Sequence, residues 1–482
     1  MTRPVFMSNI TASKIGAGMA EISDMSKKNA AIPVEKNKIY EVQIHALSSE
    51  GNGIAQIDGY TLFVPQTAVG DVVRVLVLKV KSSYGYAKTV EILKPADTRQ
   101  MPFCPVFDKC GGCTLQHLQY PFQLAAKKQF IEDALQRIGG FSGLHVDEMI
   151  GMEHPYRYRN KMVFPIGWQN GKITAGFYRE RSHDLVPLSD CALGDSENQK
   201  ILRAVVSYME ENGISPYDET SHTGCVRRVF IRQSRHFGER MAVISANSKK
   251  PVYPNRLVEA IQKACPSVCS IYWNQNCEKN NLVLGKNNLL LAGKPTIRDC
   301  LCGLEYEISP HSFFQVNPEQ TERLYQKALD DAELSSGDTV LDVYCGIGTI
   351  SLASAKRAGK VIGVEIVPQA IEDAKKNAEK NGIFNAEFYA ADAQSLVPKL
   401  IREGVCPDVV ILDPPRKGSD PDTLSAILSA APKRIVYVSC NPATLARDLK
   451  ILSGQYQIQN VAGVDMFPWT NHVETICLMT GK

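Results

Sequence analysis

The feature that most constrains this chain is a strand, a glycine turn and a helix in immediate succession. Thr339–Val343 is a short apolar run, Tyr344-Cys345-Gly346-Ile347-Gly348 follows it, and an apolar helical period runs from about Thr349 to Arg357. Val361–Glu365 and Pro368–Asn381 repeat the strand and the helix. Asp408–Leu412, Arg434–Ser439 and Thr475–Leu478 supply further apolar strands. Such alternation predicts a mostly parallel sheet with helices on both faces. Residues 311–482 are therefore read as a Rossmann-like α/β domain.

The rest of the 482-residue chain has a different texture, and its length calls for two or three domains. Residues 32–95 alternate apolar and polar positions in short runs (Tyr40–Ile44, Leu62–Val64, Val72–Val80, Lys88–Leu93), broken by Gly51-Asn52-Gly53 and Asp58-Gly59. That pattern predicts a small antiparallel β-barrel. Residues 96–310 are mixed α+β. They hold a helical period over Gln116–Ile138, which is expected to pack on the α/β domain, and strand-like stretches at Lys161–Ile166, Arg228–Gln233 and Met241–Ser245. Residues 1–31 show no period and are read as a disordered tail. There are no internal repeats. No apolar run is long enough for a membrane span, and no secretory signal precedes the barrel, so a cytoplasmic location is expected.

The glycine turn permits close backbone approach to a ligand. Glu365, ending the next strand, can accept hydrogen bonds from two ribose hydroxyls, and Asp392 ends the third strand, where an adenine would lie. A dinucleotide fingerprint needs a third glycine where Ser351 stands. That departure favours S-adenosylmethionine, which has no pyrophosphate to cradle. Asp413-Pro414-Pro415-Arg416 and Ser439-Cys440-Asn441-Pro442 each follow an apolar strand, so both sit at the ligand-binding edge of the sheet. A thiolate there suits C5-methylation of uridine. Carbon 5 of uracil becomes nucleophilic only after a nucleophile adds at carbon 6, and a base must later remove the carbon-5 proton. Cys440 is the candidate nucleophile and Glu474 the candidate base; the rival base His472 is expected to face away.

Fourteen cysteines without an export signal point to thiols used as ligands or nucleophiles. Cys104-x5-Cys110-x2-Cys113, followed much later by Cys191, offers four thiolates, and by spacing alone they suit zinc or a [4Fe-4S] cube equally. Cys225, Cys265, Cys269, Cys300 and Cys302 are read as core. The net charge of +3 means that any RNA surface must be local. Two stretches qualify: Tyr156–Lys161 with Phe177, Tyr178, Arg179 and Arg181, and the group Arg227, Arg228, Arg232, Arg235 and Arg240.

Ser312-Phe313-Phe314-Gln315-Val316-Asn317, Asp342-x-x-Cys345-Gly346-x-Gly348, Asp413–Arg416, Ser439–Pro442 and His472-Val473-Glu474-Thr475 resemble, in order and spacing, the RNA (uracil-5-)-methyltransferases over residues 32–482. The resemblance implies Cys440 as nucleophile and Glu474 as proton acceptor. It implies S-adenosylmethionine contacts from Gln315, Tyr344, Thr349, Glu365, Asp392 and Asp413, although the family often has Phe at the place of Tyr344 and Asn at that of Thr349. The barrel looks like a TRAM RNA-binding domain. Barrel and cysteines together resemble the branch acting on 23S rRNA, whose likeness implies a [4Fe-4S] cluster on Cys104, Cys110, Cys113 and Cys191 with a structural or RNA-positioning role. The expected partner is 23S rRNA at a single-stranded or loop uridine, with no membrane and no obligate protein partner. The alternatives are a tRNA uridine-5 methyltransferase and a non-catalytic iron–sulfur RNA-binding protein. Cytosine and adenine methylation are disfavoured, because no proline-preceded cysteine stands near the Asp-Pro-Pro strand and Arg416 replaces the aromatic that adenine enzymes need.

Overall fold

The computed structural model describes residues 32–180 and 182–482. The tail reading for 1–31, and Arg181 of the first basic stretch, lie outside these residues. The α/β region forms an eight-stranded sheet. Counting from Thr339–Val343, the first seven strands run in the order 3-2-1-4-5-7-6: Ala386–Ala390, Lys360–Glu365, Thr339–Val343, Val409–Leu412, Arg434–Ser439, Glu474–Gly481 and Tyr456–Val464. The first five are parallel, and Glu474–Gly481 is antiparallel to both of its neighbours.

Alternate residues of these strands feed two different cores. Val340, Val409, Ile411 and Val436 pack with the helices Pro318–Ala332 and Thr349–Ala355 on one face. Leu341, Val410, Leu412 and Ile435 pack on the other face, against the helices Ala393–Arg402, Pro421–Ala430 and Pro442–Leu452. This is why the strands read as unbroken apolar runs. The order reverses between Thr339–Val343 and Val409–Leu412, which opens a crevice at their C-terminal ends.

The sheet recruits residues from well before 311. The helix Tyr120–Ala134 continues through a wide turn, Leu135–Gly139, and buries Ile131, Ala134 and Leu135 in the second core. It starts later than the Gln116 expected, because Pro121 favours the first turn and the chain before it is irregular. The strand Glu148–Ile150 then pairs with Tyr456–Val464 at the sheet edge. Residues 96–310 are thus not one unit.

The remainder of that region is a seven-stranded sheet, in which Lys161–Gln169, Val226–Gln233 and Arg240–Ala246 are neighbours. The helices Asn198–Glu211 and Pro254–Ala264 cover one face, with Leu202, Val205, Leu257 and Ile261 in its core. Residues Ile39–Lys94 form a six-stranded curled sheet around Val42, Ala55, Leu62, Val75 and Ala87. The main strands fall where the alternation placed them.

Candidate active site

A cavity of about 550 Å³ lies at the crevice. Its lining includes all eight residues singled out for catalysis and cofactor binding: Gln315, Tyr344, Thr349, Glu365, Asp392, Asp413, Cys440 and Glu474. They come from seven separate segments, brought together by strand order.

The glycine turn is built as its sequence demands. Tyr344, Gly346 and Gly348 take positive φ of 75°, 56° and 81°, and a Cβ at Gly348 would meet the Phe388 ring at 3.2 Å. Glu365 accepts from the backbone N–H of Gly346 (3.2 Å) and of Val367 (2.9 Å), which fixes its carboxylate beside the turn. Asp392 caps the helix Ala393–Arg402 by accepting from Gln394 N–H. Thr349 bonds the Tyr325 hydroxyl at 2.8 Å, and Tyr344 bonds the Ser419 hydroxyl at 2.9 Å.

Local rules also place the cysteine. Asn441 caps the helix Pro442–Leu452 by accepting from Ala443 N–H, and Pro442 occupies the first turn. The Asn441 amide also donates to the Arg416 carbonyl, tying the Asp413–Arg416 turn to the cysteine turn. Ser439 pairs with Thr475 across antiparallel strands, so Cys440 and Glu474 are the next residues in register. Cys440 and Glu474 therefore share one end of the sheet.

The electrostatics are those of buried acids. Burial, with the Asp342 carboxyl beside it, pushes Asp413 up to about 7. Burial pushes Asp342 up to about 7 against the Ser351 hydroxyl bond, with Glu365 adding to the rise. Burial and Asp413 raise Glu474 to about 8, opposed by Arg416. Burial, Glu474 and Asp413 hold the Cys440 thiol up at about 11. A carboxyl at about 8 is suited to taking a proton near neutral pH.

Several lining residues were not anticipated. His472 lines the cavity with Glu474 instead of facing away, because residues two apart in an extended segment share a face. Burial, and then Arg416, Lys127 and Arg159, lower it to about 4, which disqualifies it as a base with much affinity for a proton. Tyr325 and Phe467 line the wall with no motif to announce them, whereas Arg416 stood inside one. Phe313 is 60% exposed at the mouth, with the Lys161 ammonium 5.8 Å from its ring.

The two basic stretches are corrected by the structure. Arg227 is buried and donates to the carbonyls of Asn276, Glu278 and Asn280. Arg228 donates to Leu282 and pairs with Glu219, and Arg232 donates to Ser309 and Ser312. Arg240 is tied to Ser267 and Asp195. In the first stretch, Arg157 is paired with Asp190 and bonds the carbonyls of Cys191 and Gly194, while Tyr158 is buried with its hydroxyl on Pro468. These side chains are spent on internal carbonyls, so they are not a free phosphate-binding face. Tyr156, Arg179 and Arg235 do reach the surface.

The four cysteines converge from two segments. Cys113 and Cys191 border one apolar cluster with Met152, Tyr158, Leu193 and Trp469. Cys110 bridges to Arg179, and Gly111 is needed where a Cβ would stand 3.0 Å from the Glu180 backbone. Burial raises the thiols of Cys110, Cys191 and Cys113, the last to about 12, with the neighbouring cysteines adding to the rise and Arg159 opposing it. The Nε of Arg159 is buried without a partner. Among the described residues no group of His, Cys, Asp or Glu is arranged to hold a metal ion.

The tRNA (Uracil-5-)-methyltransferase family matches residues 277–482, and the TRAM domain matches residues 33–90. An RNA methyltransferase of Halalkalibacterium halodurans is 44% identical over 459 residues, 95% of this chain and 100% of the relative. One from Clostridium tetani is 44% identical over 450 residues, covering 93% and 98%. The Pyrococcus abyssi tRNA (uracil-54, C5)-methyltransferase, solved in complex with S-adenosyl-L-homocysteine, superposes with a TM-score of 0.73 at 30% identity, covering 92% of this chain and 100% of that one. The chain belongs to the S-adenosylmethionine-dependent RNA (uracil-5-)-methyltransferases and carries a TRAM domain. Among the described residues no helix is long and apolar enough to cross a membrane.

Proposed function

We propose that this protein forms 5-methyluridine in 23S rRNA, with Cys440 as nucleophile and Glu474 as base. The observation that carries the reading is that Cys440 and Glu474 flank the paired residues Ser439 and Thr475, inside a cavity also lined by Gln315, Glu365, Asp392 and Asp413. S-adenosylmethionine, when bound, supplies an electrophilic methyl group on a sulfonium. Glu365 is placed to receive the ribose hydroxyls, and Asp392 the adenine end. Gln315, Tyr344, Thr349 and Asp413 line the remaining wall.

Cys440 gives its proton to solvent and its sulfur adds to uracil carbon 6, leaving the electron pair delocalised over carbon 5 and the carbonyl oxygen. Carbon 5 takes the methyl group as the sulfonium carbon–sulfur bond breaks, which would leave a neutral thioether. Glu474 then takes the carbon-5 proton, the double bond re-forms and the Cys440 thiolate leaves.

Four thiols are the donor set of a [4Fe-4S] cluster, and the half-buried Arg159 guanidinium beside them suits a group of net negative charge. We assign Cys104, Cys110, Cys113 and Cys191 as its ligands. Its contribution would be to cross-link the segment before the helix Tyr120–Ala134 to the turn at Cys191. Iron and sulfide analysis of anaerobically purified protein, set against Cys191→Ser, tests this.

RNA contact is better assigned to the TRAM domain than to the arginines. Phe63, Tyr84 and Tyr86 form a triad with each pair of ring centroids 5.7 Å apart. They stand on the outer face, since the intervening Leu62, Gly85 and Ala87 point inward and are buried. Lys79, Lys81 and Lys88 are exposed nearby, and residues 72–90 contain no acid. Rings among cations make a stacking platform for unpaired bases.

A second reading, methylation of tRNA, is favoured by the likeness to the Pyrococcus abyssi enzyme along almost the whole chain. Labelled methyl transfer to total unmodified RNA, with size separation and nucleoside analysis, decides between them. 5-Methyluridine in the 23S band supports the proposal. The same nucleoside in the tRNA band keeps the mechanism and replaces the substrate. No 5-methyluridine in either band removes the catalytic reading.

A further inference from the structure

The connection 465–473 carries Phe467 and His472 into the cavity and ends at Glu474. It is irregular yet buried, so its backbone polar groups need partners. Every carbonyl from Asp465 to Trp469 has one. Gln320 donates to Asp465, Asn317 to Met466, Lys127 to Phe467, Tyr158 to Pro468, and the N–H groups of Thr114 and Leu115 to Trp469. Trp469 holds a left-handed φ of 70°, and its own N–H is taken by Gln123.

Lys127 differs from the other anchors. It is the charged one, and it grips the connection at two points: the Asp465 carboxylate at 2.5 Å and the Phe467 carbonyl at 3.0 Å. Both side chains of the pair have no exposure. Tyr120, from the same helix, adds a bond to the other Asp465 oxygen at 2.9 Å. A buried ion pair contributes little net stability over apolar side chains of like size, because both charges lose their water. Its value here is directional: two ammonium N–H donors fix where the connection starts and how Phe467 turns.

We propose that Lys127 is a positioning residue for proton removal by Glu474. The inference rests on the reading of Glu474 as the base. Lys127 touches no reacting atom; it holds the strap whose far end is Glu474. Loosening the strap leaves Cys440, which follows the strand Arg434–Ser439, free to add to uracil and the ring free to accept the methyl group. Removal of the carbon-5 proton then lags, and without it the thiolate cannot leave. Methylated RNA should therefore accumulate on Cys440.

The test compares Lys127→Met, the double variant Lys127→Met/Asp465→Asn and Glu474→Gln with wild type, all anaerobically purified. The readouts are kcat, the KM for S-adenosylmethionine, melting temperature, and the fraction of labelled methyl in a protein–RNA adduct that survives denaturant. The expected result for Lys127→Met is a kcat lower by about 10- to 100-fold, from misplacement of one group, with KM little changed and adduct accumulating. The double variant, with no lone buried charge, should regain melting temperature but stay slow and keep the adduct. Recovery of turnover along with melting temperature would make Lys127 merely structural and overturn the proposal, as would a Lys127→Met enzyme with wild-type kcat and no adduct. If Glu474→Gln turns over without trapping adduct, the base assignment has failed first and the proposal goes with it.

Discussion

The cavity and the ground between it and the cysteine quartet are built of opposite charges. The cavity gathers the buried carboxyls of Asp342, Asp413 and Glu474, pushed up to about 7, 7 and 8 by burial and by other carboxyls. The adjoining ground gathers cations, buried at Lys127 and half-buried at Lys161. Lys161 is pushed down to about 8 by burial and by Arg232 and Arg159, and Lys127 is lowered by burial against the pull of Asp465. Carboxyls enclosed together favour a cationic ligand, and enclosed guanidinium and ammonium groups favour anions. A sulfonium suits the first region; thiolates and carbonyl oxygens suit the second. Arg416 and Lys417 are the described cations that join the carboxyls in the cavity lining.

The largest effect tests whether the acid-lined side holds the nucleophile. Cys440→Ala should lose on the order of 10⁴-fold or more in methyl transfer while keeping S-adenosylmethionine affinity. A variant that methylates as wild type would remove Cys440 from the reaction.

The pH dependence of cofactor affinity sharpens the comparison further. Asp413 is raised to about 7, so below that pH the free protein carries a proton there. A sulfonium favours the ionised carboxyl, and binding must then expel the proton. S-adenosylmethionine affinity should accordingly weaken as pH falls below about 7, by at most about tenfold per pH unit. S-adenosylhomocysteine, a neutral thioether, should show little of this slope. Equal slopes for the two ligands in calorimetric titrations would mean that the carboxyls do not face the sulfonium. The same shifts fix a sign for stability. These acids are raised above their unfolded values, so the free protein gains from them fully below about pH 4, and the gain is lost as pH rises through about 7 to 8. Saturating S-adenosylmethionine should therefore raise the melting temperature most at the alkaline end.

The two regions also differ in how far their sequences could be read. Asp413 and Cys440 stand directly after apolar strands, and the residues behind each of them, Pro414 and Asn441-Pro442, are local turn and cap signals. Local pattern and position in the sheet say the same thing there. Tyr325 and Phe467 reach the cavity only because strand order brings distant segments together, and neither shows in its own neighbourhood. The strand Glu148–Ile150 is too short to display a period, so its pairing at the sheet edge was invisible. The arginines misled for a related reason. The carbonyls that bind Arg227 and Arg228 belong to residues 276–282, and those that bind Arg232 belong to residues 309–312. A run of cations reads as a surface when its partners are distant in sequence.

The TRAM aromatics give a smaller effect. Phe63→Ala and Tyr84→Ala should each weaken RNA binding by about 10-fold, the loss of one stacked base, with S-adenosylmethionine affinity unchanged. Tyr84→Phe should retain binding, since the ring and not the hydroxyl does the stacking. Unaltered RNA affinity in both alanine variants would move the RNA contact off this face.

The smallest expected change is none at all, and it separates surface cations from enclosed ones. A lysine that meets a phosphate releases a counterion, so its loss reduces the steepness with which RNA affinity falls as salt rises, by close to one unit per contact. Lys79, Lys81 and Lys88 are exposed beside the aromatic triad, and replacing all three by Gln should flatten that dependence. Arg232 is 3% exposed with its guanidinium on the Ser309 and Ser312 carbonyls. Arg232→Gln should lower the melting temperature, because two carbonyls at the base of the Ser312–Gln315 segment lose a charged donor. Its salt dependence of RNA binding should match wild type. A flattened dependence in Arg232→Gln with an unchanged melting temperature would show that the buried cations meet phosphate after all, and the division of charge between the two regions would have to be redrawn.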